Sequence, residues 1–246
     1  MLAAASGLSA CGHDKNADAA SVSSASAAPT AVIHPEIWPQ LPRPAFDDSQ
    51  VNDRLETLLK SLSVEEKVGQ IIQADICCVT GEDVRKYRLG SVLNGGNSGP
   101  HGNDLAPAKE WLALADEFYE ASMDASGGKH AIPIIWGVDA VHGNNNIIGA
   151  TIFPHNIGLG AARDPQLIHR IGEVTAREVR VTGQEWTFAP TLAVVQDVRW
   201  GRSYESYSER PEVVHEYAAA MVTGLQGEPG SADFLRGDHV ITTAKH

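Results

Sequence analysis

The sequence predicts an α/β fold in which helices cover a parallel β-sheet. Predicted strands and helices alternate along the chain. The predicted strands are continuously apolar, as strands buried on both faces are. A barrel and an open doubly wound sheet both fit this pattern. A dinucleotide-binding sheet would carry Gly-x-Gly-x-x-Gly between its first strand and helix, and the sequence lacks that spacing there. The barrel is therefore the favoured architecture.

The elements can be placed one by one from periodicity and capping signals. Apolar residues at helical spacing from Val51 to Leu62 predict a first helix. Ser63 with Glu66 predicts a capping box that opens a second helix. Asp164 followed by Pro165 predicts the start of a later helix. The predicted strands are about 71–78, 90–93, 132–139, 185–192 and 239–244, and the other helices are about 83–87, 107–125, 165–182 and 211–225.

The end of the chain limits how much of a barrel the sequence can contain. The last predicted strand ends on Lys245 and His246, with no helix after it. A complete (β/α)8 barrel takes about 250 residues, whereas about 200 follow Ala45. The sequence therefore predicts an incomplete (β/α)8 TIM-type barrel, with about the first five strands, in residues 45–246.

Composition excludes several classes of partner. Apolar residues make up 43% of the 246 residues, enough for one sizeable core, so one large domain is favoured over two small ones. The formal charge of −12 repels phosphate backbones, which argues against nucleic acid as a partner. No window of the sequence approaches the roughly 18 to 20 consecutive apolar residues of a membrane-spanning helix.

Residues 1–44 resemble a bacterial export signal followed by a tether. Residues 8–12 (Leu-Ser-Ala-Cys-Gly) resemble a lipobox, in which Cys11 would be acylated after cleavage. Residues 1–7 lack the basic start and apolar stretch of a complete signal, so an ordinary thiol at Cys11 stays an alternative. The Ala/Ser-rich stretch 17–31 is typical of a flexible linker. The segment predicts a periplasmic or outer-membrane-anchored protein of a Gram-negative bacterium, attached to the membrane through lipidated Cys11.

Cys77 and Cys78 are adjacent within the predicted strand 71–78. Neighbouring cysteines cannot easily reach ordinary disulfide geometry with each other. Three cysteines in a chain of this length make no disulfide framework. Buried thiols on a strand are therefore favoured over a metal or redox role.

Polar side chains follow several predicted strands, and the carboxyl ends of barrel strands are where chemistry collects. They are Asn94, Asp139, His142, Arg199, Arg202, Lys245 and His246. Asp139 comes directly after the apolar run 134–138. A carboxylate there can accept two hydrogen bonds at once, which suits neighbouring hydroxyls of a sugar. An acid that caps its own loop is the alternative.

Histidines, amides and tryptophans near these strand ends allow other interpretations. The spacing of His142, residues 144–146 and His155 fits no zinc pattern, so loop hydrogen bonding is favoured and no metal is expected. Tryptophans in these segments could stack on a sugar ring, but large aromatics there are more often part of the core. The tryptophans are Trp136, Trp186 and Trp200.

Four sequence blocks carry a further signal: GVDAVHG at 137–143, ATIFPHNIGLGA at 150–161, DVRWGRSYESYSE at 197–209 and KH at 245–246. Together they resemble glycoside hydrolase family 3, most of all its β-glucosidase and exo-β-glucan glucohydrolase branch. They occur in the family's order, and the likeness covers about residues 46–246. The resemblance implies a (β/α)8-type barrel that needs no cofactor or metal, in which four residues hold the terminal sugar in a blind pocket. Those four are Asp139, Arg202, Lys245 and His246.

The chemistry of a sugar pocket agrees with these residue types. A neutral polyol offers only hydroxyls, so affinity must come from charge-assisted hydrogen bonds in a dry site. Two alternatives stay open. Arg202 could instead pair with Glu205 or Glu209, and Lys245 and His246 could be the frayed end of an incomplete chain.

The same resemblance implies what the whole protein does. It would remove terminal non-reducing β-D-glucosyl residues from cello-oligosaccharides or β-glucans by a retaining double displacement. In the family the nucleophile is an aspartate in a Ser-Asp-Trp-like motif beyond the Lys-His pair, and the acid/base is a glutamate later still. This chain contains no Asp-Trp, so we expect it to supply the sugar-binding half of the pocket and no catalytic residue. The alternatives are a β-N-acetylhexosaminidase or β-xylosidase of the same family, or a non-catalytic sugar-binding remnant.

Overall fold

The computed structural model describes Glu36 and residues 49–95 and 98–246. Apart from Glu36, the predicted export signal and tether at 1–44 lie outside the described residues. The lipidation predicted at Cys11 lies outside them too, and the domain boundary at residue 45 stays a prediction.

Five strands form one parallel sheet in the described part of the chain, in the order β1-β2-β3-β4-β5. Because each strand pairs with the next one along the chain, the sheet winds in one direction as in a barrel, whereas a doubly wound sheet reverses its order. The order ends at β1 and β5, so the sheet is open, and the predicted incomplete barrel is confirmed. The strands are β1 (Gln73–Asp75), β2 (Ser91–Asn94), β3 (Ile135–Val138), β4 (Trp186–Thr187) and β5 (Ile241–Thr242).

Helices connect the strands, as a βα winding requires. The α-helices of the described residues are α1 (Ser49–Ser61), α2 (Val64–Gln70), α3 (Gly81–Tyr87), α4 (Ala108–Met123), α5 (Asn156–Ala162), α6 (Pro165–Arg180) and α7 (Pro211–Gln226). Short 3₁₀ helices lie at Pro100–Gly102, Ser126–Gly128 and Ser203–Glu205. None of these helices is both long enough and apolar enough to cross a membrane.

The predicted capping box at the start of α2 is confirmed. The Glu66 backbone N–H donates to Ser63 Oγ at 3.1 Å, and the Ser63 backbone N–H donates to Glu66 Oε2 at 3.0 Å. The bond from the Ser63 backbone is the largest of the effects that lower the pKa of Glu66 to about 2. His130 also hydrogen-bonds this carboxylate at 3.2 Å, so the box ties α2 to the segment before β3.

Strand β1 is shorter than the predicted strand 71–78, and the expectation for its cysteines is wrong. The Asp75 side chain accepts a hydrogen bond from the Cys77 N–H at 2.9 Å, and the Asp75 carbonyl accepts one from the Cys78 N–H at 3.0 Å. These bonds turn the chain away from the sheet after Asp75. Cys77 and Cys78 are therefore exposed thiols on a turn rather than buried thiols on a strand.

Strands β4 and β5 are also shorter than predicted, but the chain segments stay paired beyond them. Pro190 has no N–H to donate to the sheet. The ladder resumes at one bridge between Thr191 and Lys245. The Lys245 N–H donates to the Pro190 carbonyl at 3.0 Å, and the Leu192 N–H donates to the Lys245 carbonyl at 2.6 Å. The backbone of Lys245 is thus fixed at the carboxyl end of the sheet.

Helix α5 is not predicted from the sequence. Its seven residues contain two glycines, which weaken a helix by roughly 1 kcal/mol each relative to alanine. Packing compensates, because Leu159 is buried and a side chain at Gly160 would come within 1.7 Å of the Tyr207 carbonyl oxygen. Tertiary fit rather than local preference therefore forms this helix.

Two hydrophobic clusters support the sheet. One lies between β3, α6 and α7 and includes Val138, Ile168 and Tyr217. The other lies between the first strands and α4 and includes Val92 and Trp111. Helices α6 and α7 touch closely, because the helix pair carries glycines where a side chain would strike the backbone of the partner helix. These glycines are Gly172 and Gly224.

Candidate functional site

Asp139 and Lys245 meet at the carboxyl end of the sheet. Asp139 follows β3 directly, and Lys245 lies just beyond β5. Lys245 Nζ donates to Asp139 Oδ1 at 2.6 Å. The Lys245 side chain is 15% exposed and that of Asp139 is 45% exposed. The ammonium is therefore largely enclosed, while the carboxylate side chain is about half exposed.

Arg202 and His246 meet at the same edge. Arg202 Nη1 lies 2.8 Å from His246 Nε2. Since a guanidinium can only donate, His246 Nε2 is the acceptor, and its neutral ring carries the hydrogen on Nδ1. The sheet and the loop after β4 thus bring the four predicted sugar-binding residues together as two contacting pairs.

Glu205 fixes the side chain of Arg202 through two hydrogen bonds. Arg202 Nε and Nη2 donate to the two oxygens of Glu205 at 2.6 and 2.7 Å. The Glu205 side chain is only 7% exposed, and its carbonyl accepts a hydrogen bond from Asn156 of α5. The salt bridge expected as an alternative role for Arg202 is therefore present. It does not use up the guanidinium, because three of its five N–H groups are engaged.

The pKa values in this cluster follow from these contacts. The hydrogen bonds from Arg202 are the main reason that the pKa of Glu205 is lowered, against the opposing effect of burial, and the charge of Lys245 adds to the lowering. The bond to Glu205 is likewise the main reason that the pKa of Arg202 is raised. Both groups therefore stay charged across the neutral range.

Two histidines lie next to the charged cluster. His155 Nδ1 lies 2.8 Å from His142 Nε2, and the His155 ring packs edge-on against Tyr204. Burial, followed by the charge of His155, lowers the pKa of His142 to about 4, with Glu205 opposing the effect. His142 is therefore neutral at neutral pH. The two rings contact each other across the loop, as the favoured interpretation of loop hydrogen bonding expects.

Asn94 and Arg199 are polar strand-end residues that do not join the cluster. Asn94 is fully buried, and its Oδ1 accepts hydrogen bonds from Trp136 Nε1 at 2.9 Å and Gln184 Nε2 at 3.1 Å. Arg199 pairs with Asp197 in its own loop, with its side chain 88% exposed. Asn94 therefore braces the barrel interior, and Arg199 is a surface residue.

The tryptophans divide between core and surface. Trp136 is buried between Trp111 and Phe118, which confirms the core interpretation for it. Trp186 is half-buried and donates to Thr243 Oγ1 at 2.7 Å. Trp200 is 38% exposed on the loop that carries Arg202, so the core interpretation is wrong for Trp200.

Neither the amides nor the histidines form a metal site in the described residues. Asn144 Nδ2 donates to the Glu178 carbonyl at 3.3 Å and to Gln184 Oε1 at 3.4 Å. No group of three or more His, Cys, Asp and Glu side chains in the described part of the chain is arranged to hold a metal ion.

Glu205 and Asp75 are charged residues whose roles the sequence does not single out. Asp75 is the last residue of β1 and Asp139 directly follows β3, so the same signal marks both. Asp75 accepts hydrogen bonds from the Cys77 and Gly95 backbone N–H groups at 2.9 and 3.1 Å, and therefore ties the ends of β1 and β2 together. The signal for Glu205 is its spacing of three residues from Arg202.

A shallow recess borders the cluster. It has a volume of about 350 Å³ and is lined by Leu192, Ala193, Ala244, Lys245 and His246. A larger cavity of about 890 Å³ lies elsewhere, between α2, α3 and the edge strand β1. The recess is the candidate site because the charged side chains of the cluster lie beside it, and not because of its volume.

Comparison with known proteins identifies the family. Residues 63–246 match the glycosyl hydrolase family 3 N terminal domain. The chain belongs to glycosyl hydrolase family 3. The match confirms the family that the four sequence blocks indicate, and it covers every residue of the charged cluster.

Family 3 relatives align with most of this chain. The structure of an exo-1,3/1,4-beta-glucanase from a Pseudoalteromonas species is 57% identical with a TM-score of 0.77, over 81% of this chain and 25% of that chain. A lysosomal beta glucosidase from Dictyostelium discoideum is 32% identical, over 78% of this chain and 25% of its own length. A periplasmic beta-glucosidase from Salmonella typhimurium is 27% identical, over 82% of this chain and 23% of its own length. The chain thus spans about a quarter of the length of these relatives.

Proposed function

We propose that this chain forms the sugar-holding part of a glycoside hydrolase. The enzyme removes terminal non-reducing β-D-glucosyl residues from cello-oligosaccharides or β-glucans. The observation that carries this proposal is the meeting of Asp139, Arg202, Lys245 and His246 at the carboxyl end of the sheet. The β-glucosidase and glucanase names of the family 3 relatives support the substrate class.

The cluster is suited to a neutral sugar because it offers both signs of charge and unused hydrogen-bonding groups. Asp139 keeps Oδ2 for hydroxyl protons, and the ammonium of Lys245 has N–H groups beyond the one bonded to Asp139. Arg202 has two N–H groups left, and His246 has Nδ1–H. Charge-assisted bonds of this kind are roughly twice as strong as neutral ones.

The catalytic carboxylates are proposed to come from outside residues 1–246. A retaining glycosidase needs a nucleophile and an acid/base with carboxyl groups about 5 to 5.5 Å apart. The family resemblance assigns both to positions after the Lys-His pair. Asp139 and Glu205 do not serve instead, because each already neutralises a cation in the cluster. Their role is to hold the sugar and the arginine.

The cellular location follows from the N-terminal sequence. We propose a periplasmic or outer-membrane-anchored enzyme of a Gram-negative bacterium, with Cys11 as the lipidated residue. The lipobox-like residues 8–12 support this proposal. Mass spectrometry of the N-terminal peptide from the native host tests this proposal. A chain that still begins at residue 1 and carries an unmodified Cys11 would contradict it.

Hydrolysis by the full-length protein tests the proposed reaction. Aryl β-glucoside, β-xyloside and N-acetyl-β-glucosaminide are compared as substrates, and proton NMR records the anomer of the sugar that is released first. We expect the glucoside to be preferred and the β-anomer to appear first, because double displacement retains configuration. Residues 1–246 alone are expected to give no turnover. Preference for another sugar, release of the α-anomer, or turnover by residues 1–246 would contradict the proposal.

A further inference from the structure

The turn after β1 presents two thiols side by side. Cys77 and Cys78 are both free and exposed, and their Sγ atoms lie 2.7 Å apart. This separation is about 0.65 Å longer than a disulfide bond, at about 2.05 Å. The two sulfur atoms are thus already placed to react with each other.

Backbone hydrogen bonds keep the thiols in this arrangement. The Cys77 and Cys78 N–H groups both donate to Asp75, to its side chain and its carbonyl respectively. The other side-chain oxygen of Asp75 accepts from the Gly95 N–H at 3.1 Å, which anchors the turn to the end of β2. These bonds use backbone N–H groups and not the sulfur atoms. The turn can therefore keep its backbone contacts whether the thiols are reduced or oxidised.

We propose that Cys77 and Cys78 form a reversible vicinal disulfide when the protein meets a small-molecule or protein disulfide. Adjacent Cα atoms are about 3.8 Å apart, below the roughly 4.4 Å at which ordinary disulfides begin. The ring formed by neighbouring cysteines is therefore strained. Strained and exposed disulfides are the readily reduced ones. The pair is consequently a site of reversible modification rather than a structural crosslink.

The reaction is thiol–disulfide exchange in two steps. One of the two sulfur atoms loses its proton to solvent and attacks one sulfur of the incoming disulfide, whose S–S bond breaks and releases one thiol. The neighbouring sulfur, after losing its proton, then attacks the first cysteine sulfur and releases the second thiol. The two cysteines are oxidised to one disulfide, and the incoming disulfide is reduced to two thiols.

The contact between the two sulfur atoms also affects the acidity of the pair. The hydrogen bond to Cys78 is the main reason that the pKa of Cys77 is raised to about 12, and Asp75 adds to it.

Peptide mapping of the full chain tests the proposal. The protein is treated with oxidised glutathione, free thiols are capped with iodoacetamide, and trypsin releases residues 68–85, which contain both cysteines and no other. We expect this peptide to lack the mass of two hydrogen atoms and to carry no cap. Dithiothreitol should restore both capped thiols. A peptide that stays doubly capped after oxidation, that carries two glutathiones, or that is linked to another cysteine would overturn the proposal.

Two single variants test the step between the two cysteines. Cys77→Ser and Cys78→Ser should each stop at a stable mixed disulfide with glutathione, because the resolving thiol is missing. A variant peptide that stays fully capped under conditions that oxidise the wild-type pair would contradict the proposal. This inference does not depend on the proposed sugar chemistry, since its readout is mass and not hydrolysis.

Discussion

Two ion pairs lie at the same end of the sheet, but they differ in the number of hydrogen bonds that join them and in how exposed their carboxylates are. In the first pair, Arg202 and Glu205 are three residues apart, bound through two hydrogen bonds, with Glu205 only 7% exposed. In the second pair, Lys245 and Asp139 are 106 residues apart and bound through one hydrogen bond, with Asp139 45% exposed.

The difference separates a structural pair from a pair that is open to exchange. The buried Glu205 carboxylate loses its main compensating charge if Arg202 is removed, which is costly. A half-exposed carboxylate can turn to water or to a sugar hydroxyl instead. We therefore expect loss of Arg202 to reduce stability as well as binding, and loss of Lys245 to reduce mainly binding.

The largest effect on stability is expected from Arg202→Met. It leaves Glu205 buried without its partner, so the free energy of unfolding should fall by about 2 to 3 kcal/mol. Arg199→Met is the matched control, because it removes an arginine from an exposed ion pair in the same loop and should cost less than about 1 kcal/mol. Urea unfolding of both variants measures the difference. If both variants lost the same unfolding free energy, the burial of Glu205 would not make the Arg202–Glu205 pair more important for stability than an exposed ion pair.

A smaller effect is expected from the pH dependence of His142. The pKa of this residue is 6.5 in its ordinary state and about 4 in the fold, so the unfolded chain binds more protons between these values. Stability from the neutral ring is fully present above pH 6.5 and is lost as the pH falls toward 4. The free energy of unfolding of the wild type, taken relative to that of His142→Gln, should therefore fall as the pH is lowered through this range. A difference that is flat with pH would contradict the lowered pKa.

The smallest effect on stability is expected from Lys245→Met. Asp139 stays in contact with water when its partner is removed, so the unfolding free energy should change by less than about 1 kcal/mol. The same variant should bind glucose more weakly, because a charged donor is lost from the recess. A loss of stability as large as that of Arg202→Met would make the second pair structural as well, and would remove the contrast between the two pairs.

The sequence predicts the fold class because that rests on local signals, whereas the resemblance to the family selects the four clustered residues from the seven polar residues that follow strands. Apolar strands alternate with helices, and polar residues follow the strands. Local signals fail where a tertiary contact determines whether an element forms or where it ends. Helix α5 forms despite two glycines because Gly160 fits against Tyr207, and β1 stops early because Asp75 captures the backbone of the next residues.

Asp75 and Asp139 show the limit of the strand-end signal most clearly. Both are acids at the carboxyl end of a strand. Asp75 accepts two backbone hydrogen bonds and closes its own loop, whereas Asp139 meets a lysine from a distant part of the chain. Spacing alone cannot separate these outcomes, because the difference lies in which backbone N–H groups point at the carboxylate after folding.

Calorimetric titration of the full-length protein with glucose tests the central claim that Asp139 holds the sugar. Asp139→Asn is compared with Asp197→Asn, which changes an exposed acid of the neighbouring loop. Hydrogen bonds to charged groups contribute about 1.5 to 3 kcal/mol, so Asp139→Asn should weaken glucose binding by roughly 10- to 100-fold while Asp197→Asn leaves it unchanged. Wild-type affinity in Asp139→Asn would contradict the account, because the sugar would then be held elsewhere.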